Sequence, residues 1–266
     1  MDLSLIFIEY HSAEDISTAV SAFHDQCDND GFEYEIIVSS NSCYPPEQQE
    51  ELRKQLPGVR WLFNERNGGF AYGMNRGLEA ASGDFLLVSN PDARVKTKLS
   101  PALDFLKTHP EVGLLGARIE DANGKVQDSC RHFMWPLGMI RRQIVRWFKS
   151  RDVLLNPNVD YSRIQSVDWV IGAFMLLRRE VYKKTGGFDE NYFLYVEDMD
   201  WCYRIRLAGY GIYYFPPVKV EYKGDRKSTA ALFRDSDFIC GYAAKHFKSY
   251  CRFLKKHYFR KRPPRA

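Results

Sequence analysis

The sequence predicts an α/β fold, with a mostly parallel central sheet flanked by helices and a basic helical extension at the C-terminus. Three observations lead there. Short apolar runs alternate with helical segments through residue 115, and repeated βα units imply a parallel sheet. Residues able to do chemistry follow directly after several of the apolar runs, where ligands bind in such sheets. The length of 266 residues, 45% of them apolar, is enough for one large packed core.

The elements read in order as follows. Residues 3–8 are a short apolar run, taken as a buried strand. Ser12 is placed to cap the next helix, whose first turn holds Glu14 and Asp15. Residues 34–38 are a second strand, and Pro46 opens a helix to residue 56. Residues 59–63 are a third strand, 70–81 a helix that Gly83 ends, and 84–89 a fourth strand. Residues 98–108 read as a helix and 112–115 as a strand. Asp121-Ala-Asn-Gly124 carries an Asn-Gly turn signal. Further on, 174–177 and 212–215 read as strands and 197–208 as a helix ended by Gly209. No linker divides the chain before the tail, so one catalytic-sized domain over 1–240 and an extension over 241–266 are expected.

Composition excludes several classes. Gly (18) and Pro (12) are ordinary in number, which argues against collagen-like or low-complexity chains. No apolar run reaches membrane-spanning length, and the N-terminus lacks the basic leader of a signal peptide. The six cysteines are scattered with no CxxC pair, so a reducing cytoplasm is expected. The net charge of +4 hides a division. Residues 245–266 hold nine Lys or Arg and no acid, so the other 244 carry a net −5. An acidic body with a cationic tail implies an appendage that meets an anionic surface.

Three constellations are able to carry chemistry. Asn67-Gly-Gly-Phe-Ala-Tyr-Gly-Met-Asn-Arg-Gly77 enters a helix after the third strand. It reads either as a cradle offering helix N–H groups to phosphate or as a glycine face packed closely on the sheet. Ser89-Asn-Pro-Asp92 follows the fourth strand. Asp92 suits a hard cation such as Mg2+ or Mn2+ if a diphosphate supplies the other oxygens, or else the segment is a turn. Glu197-Asp198-Met-Asp200 opens a helix after the aromatic run Tyr192-Phe-Leu-Tyr195. The acids either favour the helix dipole, or one is a general base beside bulky rings while the other pairs with Arg204 or Arg206.

In this order the segments resemble the family 2 inverting glycosyltransferases of GT-A fold, and within them the rhamnosyltransferase-like enzymes of bacterial polysaccharide assembly. The matching pieces are Asn67-x-Gly-Phe-Ala-x-Gly-x-Asn-x-Gly77, Asn90-Pro-Asp92, Ile171-Gly-Ala-Phe-Met-Leu-Leu-Arg-Arg179 and Gly186-Gly-Phe-Asp-Glu-x-Tyr-Phe-Leu-Tyr-x-Glu-Asp-x-Asp-Trp-Cys-x-Arg204. The likeness spans roughly residues 3–230. It implies transfer of a sugar from a nucleotide-diphosphate donor of dTDP, UDP or GDP type to a hydroxyl on a glycan or lipid-linked acceptor. It also implies Asp198 as base with Glu197 beside it, and Asp92 on a divalent cation. Ile8, Tyr10, Ser40, Asn67, Gly69, Phe70, Gly73, Asn75 and Asn90 fall to the donor side by the same resemblance. Gly172, Ala173, Phe174, Gly187, Phe188 and Trp201 fall to the sugar and acceptor pocket.

The chain departs from the family in four places. Glu9-Tyr-His-Ser12 stands where an Asn-Tyr-Asn-Ser turn is usual, and Ser40 where an Asp usually meets the nucleotide base. Tyr44-Pro-Pro46 replaces an Asp-Gly-Ser. Val220-Glu-Tyr-Lys-Gly224 replaces a segment with an assisting His, leaving Glu221 as a candidate cation ligand and Lys223 and Lys227 as candidates for phosphate. An altered donor, or a non-catalytic sugar-nucleotide-binding protein on the same scaffold, is the alternative. Residues 242–259 intersperse Phe247, Tyr250, Phe253 and Tyr258 with lysines, and 136–151 repeat that mixture. Both fit a peripheral position on the inner face of a membrane with anionic lipids, with no nucleic-acid module alongside. A dinucleotide-dependent oxidoreductase would need GxGxxG after the first strand, where Glu9-Tyr-His stands instead.

Overall fold

The computed structural model describes residues 1–131, 133, 159–222 and 236–257, with side chains of the final helix from Lys245 onward. Its elements in chain order are β1 (Leu3–Glu9), α1 (Ala13–Cys27), β2 (Tyr34–Ser40), α2 (Pro46–Gln55), β3 (Val59–Phe63), α3 (Gly69–Ala80), β4 (Phe85–Ser89), β5 (Ala93–Val95) and α4 (Ser100–Thr108). The second half adds β6 (Val112–Glu120), β7 (Cys130–Arg131), β8 (Gln165–Val167), β9 (Trp169–Val170), β10 (Phe174–Arg178), α5 (Arg179–Thr185), α6 (Glu197–Leu207), β11 (Gly211–Tyr222) and α7 (Ser236–His257).

The main sheet runs β3-β2-β1-β4-β10-β6-β11-β5, with β8 on β11. β1 pairs parallel with β2 and β4, and β2 with β3. β10 is inserted antiparallel between β4 and β6, and β11 resumes the parallel direction beside β6. Successive strands leave β1 on opposite sides, toward β2 and toward β4. That reversal of order is the place where a doubly wound sheet opens a crevice at its carboxyl ends.

Strand alternation divides the core into two layers. Leu3, Leu5 and Phe7 of β1 face α1 and α4 in one cluster, while Ile6 faces α3 and α6 in the other. In α1 the buried residues Ile16, Ala19, Val20, Phe23 and Cys27 form one helical stripe. A third cluster, Tyr192, Val196, Met199, Tyr203, Tyr250 and Phe253, joins α6 to α7.

Several local expectations change. Ser12 stands at the N-cap of α1 without capping it, because its hydroxyl accepts from the Tyr10 amide (3.4 Å) and not from the helix. The strand expected over 212–215 continues to Tyr222, through Pro216 and Pro217, which have no amide to give a ladder. A register irregularity between Phe215 and Lys219 absorbs the two missing amide donors. The short elements β5, β7, β8, β9 and α5 have no periodicity long enough to be read from sequence. The turn at Asp121–Gly124 forms, with Gly124 at φ +76° and the Gly124 amide on the Asp121 carbonyl (2.9 Å). Residues 136–151, Lys223, Lys227 and the tail past His257 lie outside the described residues.

Candidate active site

The carboxyl ends of β1, β2 and β3 form one rim, with Glu9 in register with Ser40 and Ser40 with Phe63. Glu9 is wholly buried and charge-satisfied by donors alone. It accepts from the Ser12 amide (2.8 Å) and from the Ser40 (2.5 Å), Ser42 (2.8 Å) and Tyr44 (2.9 Å) hydroxyls. Ser40 is equally buried, so its hydroxyl serves Glu9 and offers a nucleotide no surface. The rim's exposed face is Tyr10, half exposed and 4.5 Å from His11, with Tyr44 edge-on to His11. Ile8 lies behind, against Gly73.

The glycine segment resolves toward packing. A Cβ at Gly73 would lie 2.6 Å from Ile8 Cδ1, and one at Gly77 would collide with Ile6 Cγ2. These glycines, one helical turn apart, let α3 lie directly on β1. The start of α3 is also occupied: the Gly69 amide donates to Asn67 Oδ1 (3.0 Å) and the Phe70 amide to the Phe193 carbonyl (3.0 Å). Gly69 sits at φ +88°, and a side chain there would strike the Phe193 carbonyl. Asn75 is not turned to a donor either. Its Nδ2 donates to the Phe188 carbonyl and Glu190 (2.9 Å each), and its Oδ1 accepts from the Phe188 amide (2.9 Å). Asn75 thus ties the Gly187-Phe188 loop to α3.

On the other side of the reversal, β4 ends against the start of β10. Ser89 is in register with Phe174, and the Asn90 amide donates to the Ala173 carbonyl (3.2 Å). The next turn, closed by the Ala93 amide on the Asn90 carbonyl (3.1 Å), carries Asp92, half-buried. Asn90 Nδ2 donates to the Tyr222 hydroxyl (3.1 Å), which draws in the end of β11. Glu221 is engaged there by Arg94 and Lys96 (3.4 Å each), so it faces cations of the protein itself. No cluster of three or more His, Cys, Asp or Glu suited to a metal occurs among the described residues. The donor set at this turn therefore fits a hard cation only as one carboxylate oxygen beside diphosphate and water oxygens.

One residue before Ala173, the Gly172 amide donates to Asp198 Oδ2 (3.0 Å), while the Met199 amide donates to Oδ1 (2.7 Å). Hydrogen bonds through the Gly172-Ala173 backbone thus link the Asp92 turn to the first turn of α6. Burial raises the Asp198 pKa above the ordinary carboxylate value, against the pull of those two amides and of the Arg131 charge. Glu197 is more deeply buried, and its Oε2 has no partner. Burial, and then the neighbouring Asp198 charge, push its pKa well above the usual range. The pair is reached through a bend: Tyr195 (φ +69°) and Val196 (φ +74°) are both left-handed, a costly conformation for a β-branched residue.

The rest of this segment is a scaffold that the sequence alone did not distinguish from a pocket. Arg204 does not pair with Glu197 or Asp198. It binds Asp200 (2.8 Å), the Thr185 carbonyl (2.5 Å) and the Gly187 carbonyl (2.6 Å). Trp201 is wholly buried, packs edge-on against Phe188 and donates to Thr185 Oγ1 (3.1 Å), so it has no face for a sugar. Phe174 and Ala173 are likewise buried, and Gly172 opposite Phe70 (3.3 Å for an added Cβ) is the more accessible of that run. Asp200, a third acid in the pattern, is wholly buried. Against the cost of burial, hydrogen bonds from His257, Arg204 and Lys256 hold its carboxyl far below the usual range. A separate 230 Å3 cavity lined by Glu111, Arg206 and Tyr210 lies at the starting end of β6 and β11, opposite this rim.

The comparisons with known proteins bear on this geometry. The family model described as Glycosyl transferase family 2 matches residues 4–186, which includes Asp92 and stops before Glu197. The N-acetylglucosaminyl-diphospho-decaprenol L-rhamnosyltransferase of Mycobacterium tuberculosis is 28% identical over 212 residues, 70% of this chain and 65% of that protein. The chain thus spans a little under two thirds of the length of that relative. The rhamnosyltransferase WbbL of Escherichia coli strain K12 is 48% identical over 50 residues, 19% of each chain. Among solved structures, a mannosyltransferase from Pyrobaculum calidifontis in complex with GDP-Man and Mn2+ aligns with a TM-score of 0.63 at 16% identity. That alignment covers 98% of this chain and 65% of the other. It shows the fold that the two share, the GT-A arrangement of a mostly parallel sheet with flanking helices.

Proposed function

The chain belongs to glycosyl transferase family 2, and from that premise we propose that it moves a sugar from a nucleotide-diphosphate donor to a hydroxyl acceptor with inversion, Asp198 acting as general base. The observation that carries this reading is the Asp198 carboxylate. It is half-buried, raised in proton affinity and held by two amides at the carboxyl edge of the sheet, linked through the Gly172-Ala173 backbone to the turn that carries Asp92. A general base works best when its proton affinity is matched to the operating pH, and burial raises that of Asp198 in this direction.

In the step, the acceptor hydroxyl gives its proton to an Asp198 oxygen as the new bond forms at the anomeric carbon and the bond to the diphosphate breaks. The amides of Gly172 and Met199 fix the direction of the carboxylate, so little is lost in orienting it. Asp92, with Asn90 holding its turn, would receive a divalent cation, which when bound neutralises charge on the departing diphosphate. Tyr10, His11 and Tyr44 are the rings available to a nucleobase, a consequence of Glu9 and Ser40 being spent on each other. The mycobacterial and Escherichia coli relatives support a rhamnose-type donor and a role in bacterial glycan assembly, and the former a lipid-linked acceptor. The exposed stripe Lys248, Arg252 and Lys255 of α7, beside the exposed Phe247, supports contact with anionic lipid at which such an acceptor resides. No helix among the described residues is long and apolar enough to cross a membrane.

The test is turnover against binding. Asp198→Asn is expected to cut transfer from dTDP-, UDP- or GDP-sugars by roughly 10^2- to 10^4-fold while nucleotide binding by calorimetry stays near wild type. Chelation of divalent ions is expected to weaken that binding. Full activity in the variant overturns the base assignment, and a wild-type chain that binds nucleotide sugars without turnover establishes the non-catalytic alternative.

A further inference from the structure

We propose that α7 is a working part of the active site: Lys256, His257 and Ser249 position the 189–200 segment that carries Glu197 and Asp198. This rests on the reading of Asp198 as base.

The segment needs holding. Two successive left-handed residues, Tyr195 and Val196, precede the acids, a strained conformation for side-chain-bearing residues that persists only where the surrounding structure imposes it. On one side the segment is pinned by α3, through the Phe70 amide on the Phe193 carbonyl. On the other side α7 adds a series of holds of its own. Ser249 Oγ donates to the Leu194 carbonyl (3.1 Å), His246 packs on the Tyr195 ring at 5.4 Å, and Lys245 lies over the Phe193 ring at 5.2 Å. Tyr250 and Phe253 cover Val196 and Met199 in the third hydrophobic cluster.

The two ends of the segment are clasped by a single side chain. Lys256 Nζ reaches Asp189 Oδ2 (2.7 Å) before the bend and Asp200 Oδ1 (2.9 Å) after it. His257 Nε2 adds 2.8 Å to Asp200, whose other buried partners are Arg204 and the Tyr192 hydroxyl. The Lys256 and Arg204 cations thus meet the Asp189 and Asp200 carboxylates, with His257 closing the cluster. Its Nδ1 is buried and has no hydrogen-bond partner among the described residues. Removing Lys256 takes away the side chain that joins Asp189 to Asp200, leaves Asp189 with Asn191 and the buried Asp200 with Arg204, His257 and Tyr192, and so frees the ends of the bend to part.

Lys256, His257 and Ser249 are positioning residues, and the experiment must separate aim from stability. Kinetics with a panel of dTDP-, UDP- and GDP-sugars, and hydrogen exchange of the 193–199 amides, are measured for Lys256→Met, Lys256→Arg and Ser249→Ala. Leu103→Ala, in the opposite core layer, serves as a control for thermal stability. Lys256→Met is expected to lower kcat by roughly 10- to 100-fold with donor KM within about twofold. Exchange at 193–199 is expected to quicken by about tenfold. Lys256→Arg should restore most of kcat, and Leu103→Ala should leave it near wild type despite a lower Tm. Unchanged exchange in Lys256→Met, wild-type kcat in that variant, or an equal kcat loss in Leu103→Ala each overturns the proposal. A wild-type chain that transfers nothing from any donor overturns the functional reading instead, while the exchange data still decide whether α7 holds the segment.

Discussion

Glu197 and Asp198 are adjacent acids with different neighbours, and that difference belongs to single residues. Asp198 has two backbone donors, whereas Glu197 has an oxygen with none and lies against its neighbour's charge. The native state therefore keeps a proton on Glu197 at pH values where the unfolded chain has released it. With fewer protons bound in the unfolded state, stability falls as pH rises from the ordinary carboxylate range through the raised native value. Glu197→Gln removes this dependence. The Tm advantage of the variant over wild type is expected to widen with pH across that window, and a constant gap in a calorimetric pH series would refute the assignment. Asp200 has the opposite sign: its contribution is fully present above the usual carboxylate range and is lost progressively as pH falls from there through its lowered native value.

At the scale of elements, α3 shows how one pattern carries two readings. Its glycines are equally suited to phosphate and to close packing, and from sequence neither prevails. Contacts decide: Gly73 and Gly77 face Ile8 and Ile6, and the first two amides of the helix are taken by Asn67 and Phe193. Gly77→Ala is expected to destabilise by about 1–3 kcal/mol in denaturant unfolding, since Ile6 is fully buried with no room to retreat. Gly58→Ala, which meets nothing within 4 Å, is expected to stay within about 0.5 kcal/mol. Equal effects would mean that α3 does not lie on β1 as described. The same contrast explains Asn75, whose amide reads as a ligand for a nucleotide and instead ties together segments 113 residues apart.

For the whole molecule, the opposition of acidic body and cationic tail gains a structure. α7 is expected from sequence as an extension beyond residue 240, yet it starts at Ser236 and buries Ser249, Tyr250, Phe253 and His257 against the body. Its opposite face presents Lys248, Arg252 and Lys255 to solvent. Charge reversal at these three positions is expected to weaken binding to phosphatidylserine vesicles by about 1 kcal/mol per residue or more with Tm unchanged, read by co-sedimentation. Undiminished sedimentation would dismiss the lipid contact. Deleting the helix from Lys245 is a poorer test, because it also uncovers the third cluster and the Asp200 network.

The sequence by itself determined the alternation of strands and helices, the parallel sheet and the placing of Asp92 and the Glu197-Asp198 pair at element ends. These follow from local periodicity and turn chemistry, which act over a few residues. Only the tertiary structure decided that Glu9 and Ser40 satisfy each other, that Arg204 serves Asp200, that Trp201 is core and that α7 reaches the base segment. These are pairings across 31 residues or more, a choice among equivalent partners for Arg204, and for Trp201 the burial of one ring. Such choices are made by burial, since a polar group removed from water takes whichever partner the packed chains bring to it.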